Sequence, residues 1–94
     1  MDKLVVLFTM DGCPFCVDMK QMLIDEGIDF VDRDIDEHEE EYDLFVEITQ
    51  NEYVPAFMLI ENPENEFKSS LFAPDRDFND ITDGVKIIKE WIEK

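Results

Sequence analysis

The chain reads as an α/β fold, and three observations carry that reading. Leu4–Thr9 is an unbroken apolar run of strand length that stops at a turn. Two stretches of helical apolar spacing follow, with a second strand-like stretch between them. The last stretch, Thr82–Glu93, keeps apolar residues on one helical stripe. The segments run βαβα, then two or three β segments, then α. A parallel βαβ unit crosses right-handed.

Each element has a local cause. Met10-Asp11-Gly12 closes the first strand with a turn, and Pro14 suits the first position of a helix, where its missing N–H costs nothing. That helix runs to Glu26 with Phe15, Met19, Met22 and Leu23 at helical spacing, and Gly27 follows as a left-handed cap. Ile28–Ile35 mixes apolar and charged residues as a second strand. Asp36 and Glu39 have capping-box spacing for a second helix that carries Tyr42, Phe45, Val46 and Thr49 on one face. The acidic run Asp36–Glu41 suits the positive end of that helix. Tyr53-Val54-Pro55 leads into a strand over Ala56–Ile60, where a proline ahead of the ladder removes no needed donor. Asn62–Asn65 is a turn cluster, Glu66–Ala73 a further strand, and Pro74-Asp75 another turn. In the final helix, Ile81, Val85, Ile88 and Ile92 form the stripe.

Composition narrows the function. A length of 94 residues with 45% hydrophobic content and eight Phe predicts one folded domain over residues 1–94. Twenty-five acidic against eight basic residues give a net charge of −17, which repels phosphate backbones and anionic lipid, so neither nucleic acid nor membrane is an expected partner. No export segment or membrane span is read, and the expected location is the cytoplasm.

The chemistry concentrates at Cys13-Pro14-Phe15-Cys16, the chain's two cysteines. A strand, a turn and a Cys-x-x-Cys at a helix start place two thiols one turn apart, close enough to form a small disulfide. The first thiol faces the positive end of the helix dipole, which favours its thiolate. In a reducing compartment such a pair points to redox chemistry or metal binding before a structural staple. A zinc site lacks ligands, since only His38 joins the two cysteines and its spacing is wrong. His38 reads as an exposed helix-start residue, and Trp91 as packing.

Taken in order, Leu-Phe-Thr, Cys-Pro-Phe-Cys, Tyr-Val-Pro and the terminal helix resemble the glutaredoxin family, whose motifs read CPYC and TVP. The resemblance implies a thioredoxin-like fold: a central mixed four-stranded sheet flanked by helices, here with an extra hairpin before the last helix. It implies a monomeric dithiol–disulfide oxidoreductase, in which Cys13 attacks protein or glutathione-mixed disulfides and Cys16 resolves the adduct. Pro14 stiffens the substrate loop, Phe15 stands in it for the usual tyrosine, and Tyr53, beside Pro55, either covers the active site or contacts substrate. Pro55 carries a cis bond, and the backbone of Val54 pairs with a bound peptide or glutathione. Asp80-Ile81-Thr82-Asp83 is the best match to the family's γ-glutamyl clamp, Gly-Gly-x-Asp; Thr82 and Asp83 fit the helix start, and both glycines are missing.

Several residues depart from the family pattern. Met10 replaces a lysine that holds a glutathione carboxylate, and Glu52 replaces a basic residue near the Val-Pro. Glutathione, the implied reductant, is therefore expected to be used weakly. Ser70-Leu71-Phe72-Ala73-Pro74-Asp75 resembles the Ser-Gly-Phe-Arg-Pro-Asp of redoxins that take electrons from thioredoxin reductase and serve ribonucleotide reductase. That route is one alternative. An iron–sulfur carrier built on two Cys13 thiolates is another; Pro14 argues against it because cluster-binding relatives commonly have a smaller residue there, and no metal is expected.

Overall fold

In the computed structural model, which describes residues 3–61 and 69–93, every residue from Val5 to Thr9 is buried. That run forms the middle of the sheet because neither of its faces meets water. The element order is β1 (Lys3–Thr9), α1 (Pro14–Asp25), β2 (Val31–Asp34), α2 (Glu39–Thr49), β3 (Ala56–Glu61), β4 (Ser69–Phe72) and α3 (Ile81–Glu93). The four strands lie in the order β2-β1-β3-β4. β1 pairs parallel with β2, with Val6 opposite Val31 and Thr9 opposite Asp34. It pairs antiparallel with β3, with Leu7 opposite Phe57, and β3 pairs antiparallel with β4. The sheet is mixed, and the architecture is that of the thioredoxin-like fold.

Alternation along β1 divides the core into two layers. Val5 and Leu7 point to one face with Phe57 and Leu59, where α1 and α3 cover them through Met19, Leu23, Val85 and Ile88. Val6 and Phe8 point to the other face, under Tyr42 and Phe45 of α2. Phe57 stacks between Phe72 and Phe78, with ring centroids 4.9 and 5.4 Å away. Gly84 lets α3 approach closely: a Cβ there would come within 3.1 Å of Met19 Cε and 3.3 Å of the Phe78 ring. α1 ends in a Schellman motif, with Gly27 at φ +70, Ile28 N–H bonded to Leu23 O and Gly27 N–H to Ile24 O.

The structure moves several expected boundaries. The second helix starts at Glu39, not Asp36, because Asp34 captures the preceding turn: its carboxylate accepts from Asp36 N–H at 2.9 Å and its carbonyl from Glu37 and His38. No capping box forms; His38 is the N-cap and makes no side-chain cap bond. β2 begins only at Val31, since Ile28 closes α1 and both Ile28 and Phe30 pack on the core. Ile92 is exposed and Trp91 packs against the core instead, so the buried stripe of α3 is offset by one residue at its end. The segment expected to bring a hairpin supplies the edge strand β4 and a tight turn over residues 73–78, closed by a Pro74–Phe78 bridge. Among the described residues it adds no strand beyond the four. The expected turn at 62–65 and the start of that strand at 66–68 lie outside the described residues. Among the described residues no helix is long and apolar enough to cross a membrane.

Phe57 joins the sheet to the 73–78 turn. Truncation to alanine should cost about 3–5 kcal/mol, as for other buried phenylalanines. A fall in the urea midpoint with unchanged slope measures it.

Candidate active site

β1 delivers the chain to the edge of the sheet, and Gly12 at φ +80 turns it into α1. Cys13 N–H bonds back to Met10 O at 3.2 Å, and Cys13 is the N-cap of the helix with Pro14 behind it. The Cys16 backbone N–H donates to Cys13 Sγ at 3.2 Å. An acceptor at this place satisfies a helix amide that would otherwise lack a partner, and any negative charge on the sulfur meets the positive end of α1.

Cys16 differs in kind. It is 1% exposed and points into the core side of α1, whereas Cys13 is 8% exposed. Both thiols are free. Burial first, then the hydrogen bond with Cys13, pushes the Cys16 thiol up to about 12. The reduced pair is thus asymmetric, with Cys16 held protonated. The backbone contact with Met10 and the charge of Lys20 act in the opposite direction. Lys20 lies one turn beyond Cys16 on α1 and pairs with Asp32 at 2.9 Å. Asp32 also accepts from the buried Thr9 hydroxyl at 2.5 Å. Partial burial raises the Asp32 carboxyl, but the Thr9 and Lys20 contacts outweigh it and hold it below its usual range.

Beside the thiols lies an open groove of about 450 Å³. One wall is Phe15, Tyr53, Val54 and Pro55; the Val54–Pro55 bond is cis. The rest of the lining comes from the 73–78 turn and the start of α3, including Asp75 and Asp80. Asn51 ties the walls together. Its amide donates to Pro74 O at 2.6 Å, and its carbonyl accepts from Tyr53 N–H at 2.9 Å. Tyr42 adds a bond from its hydroxyl to Glu52 O at 2.8 Å.

The glutaredoxin family model matches residues 5–59, more than half of the chain. The chain belongs to the glutaredoxin family. Family membership supports thiol–disulfide oxidoreductase chemistry, and the matched span includes Cys13, Cys16 and Pro55. A solved structure described as "Structure of a malarial protein" shares the fold at 16% identity, with a TM-score of 0.54, over 96% of this chain and 97% of that one. No curated protein matches this sequence.

Of the residues marked out in this glutaredoxin from sequence, Phe15, Tyr53, Val54 and Pro55 meet in one groove next to the cysteines. Phe15 was also read as part of the buried stripe of α1; it is instead 64% exposed, because the stripe runs Cys16, Met19, Leu23. Thr82 and Asp83 do not line the groove. Thr82 borders a separate cleft with Met22, Asp25 and Glu26, and Asp83 N–H is capped by the Asp80 carboxylate at 3.0 Å. The residues of α3 that do face the groove are Asp80 and Ile81. Sequence reading placed neither Asp75 nor Asp80 in the groove, and it missed the Asn51 tie beside it. Only Asp80 had a usable signal, the N-cap spacing to Asp83.

Two predictions follow from this asymmetry and its supports. Iodoacetamide at neutral pH should modify native, reduced protein once, at Cys13, and reach Cys16 only after denaturation; peptide mapping by mass spectrometry reads both sites. Asp32 has a lowered native pKa, so its contribution to stability is present above the unfolded value of about 3.9 and is lost as pH falls through the native value. Thr9→Val removes one support of that carboxylate. The stability difference between neutral pH and acid, from urea melts at each, should therefore be smaller in Thr9→Val than in wild type.

Proposed function

We propose that this chain reduces disulfides of proteins and of glutathione adducts, with Cys13 as nucleophile and Cys16 as resolving thiol. The observation that carries this reading is the Cys13 sulfur at the mouth of α1, hydrogen-bonded by Cys16 N–H, with the second thiol protonated one turn inside.

The Cys13 thiolate attacks one sulfur of the substrate disulfide; that S–S bond breaks, a Cys13–substrate S–S bond forms, and the leaving thiolate takes a proton from water. Bonding at Cys13 removes the charge that helped hold the Cys16 proton. Cys16 then loses its proton and attacks Cys13 Sγ, forming the Cys13–Cys16 disulfide and expelling the second substrate thiolate. Two electrons have passed to the substrate. Two glutathione molecules, or a dithiol reductase of the thioredoxin reductase type, return them. The Val54 backbone pairs with the substrate peptide as an added strand.

The exposed Met10 and the Glu52 side chain leave this part of the site without the cations that hold glutathione carboxylates in the family. Parallel reduction assays coupled to glutathione and to thioredoxin reductase test the donor. Cys16→Ser should abolish reduction of protein disulfides while keeping deglutathionylation through Cys13; loss of both would contradict a glutathione route. Met10→Lys should lower the apparent KM for glutathione about two- to fivefold, the worth of one exposed ion pair.

A further inference from the structure

The second wall of the groove, from Pro74 to Ile81, lies outside the residues that match the family. Asp75 is exposed, and among the described residues its carboxylate has no hydrogen-bond or ion-pair partner. Asp80 is exposed as well. Among the described residues no lysine or arginine lines the groove. Arg76, next to Asp75, is turned to Asp77 at 2.8 Å, and Lys20 is held by Asp32. Phe15 and Tyr53, each 64% exposed, line the same groove and supply its aromatic rings. Carboxylates opposite aromatic rings form a receptor for a lysine or arginine side chain.

We propose that this groove selects disulfides in cationic polypeptide segments, a lysine or arginine beside the reacting cysteine lying between Phe15, Tyr53 and the Asp75 and Asp80 carboxylates. The inference rests on the oxidoreductase reading above and adds its substrate class. An anionic small thiol meets repulsion from the same wall, and a second copy of this chain, with a net charge of −17, is a poor occupant. The redox step is unchanged: the peptide disulfide receives two electrons from the Cys13–Cys16 dithiol and two protons from water and Cys16.

The test uses peptides with one intramolecular disulfide flanked by lysine, serine or glutamate. Pre-reduced protein reduces them in a single turnover with no other reductant present, and each rate is divided by the rate with dithiothreitol. The lysine peptide should exceed the glutamate peptide by about tenfold or more at low salt, and the gap should shrink in about 0.5 M salt. Asp75→Asn with Asp80→Asn, which keeps the turn and cap chemistry, should remove most of the preference. Glu39→Gln with Glu40→Gln, the same charge change on distant α2, should leave it. Equal rates for all three peptides, or an equal loss in both double variants, overturn the groove assignment. Reduction of none of the peptides overturns the oxidoreductase reading itself.

Discussion

Cys13 is placed by the strand that precedes it. β1 is buried on both faces from Val5 onward, and its neighbours β2 and β3 fix its register on both edges. A strand so enclosed has no freedom to slip, since a shift of one residue would exchange its two apolar faces and set Thr9 out of reach of Asp32. The turn at Gly12 and the N-cap at Cys13 inherit that fixed position. Each fully buried side chain along β1 contributes about 1.5–3 kcal/mol, so the sulfur's location rests on the best-anchored part of the fold.

From this anchor the two cysteines diverge in role by geometry alone. The first caps a helix, with its sulfur accepting from an amide of the first turn. The second sits one turn deeper, where desolvation keeps its proton. Among the described residues no basic side chain lines the groove, and what meets the Cys13 sulfur is an amide N–H at the positive end of α1. That donor is part of the backbone, so it keeps its place whatever the surface charge does.

Much of this was legible in the sequence because its causes are local. A buried strand, a Pro at a helix start, a Gly past a helix end and a Cys-x-x-Cys all announce themselves within a few residues. The site cysteines, the Val-Pro and the three helices belong to that class. What escaped depends on competition or distance. At Asp36, a capping pattern lost to the carboxylate of Asp34, which bonded the same stretch of backbone first. Phe15 has apolar character but falls off the buried stripe, which only the true helix phase decides. Asp75 and Asp80 join Tyr53 in one groove only through the turn after β4 and the approach to α3, a grouping that no local spacing encodes.

Asn51 joins two stretches of chain that are 23 residues apart at Pro74. Through that one amide the cleft has a preset width before any guest arrives. Ordering of its rim has been settled during folding, so a docking strand forfeits little freedom on the protein's side. On the substrate reading proposed above, the gap acts as a gauge: extended chains fit between the clasped walls, and bulky folded surfaces must first offer a loose segment.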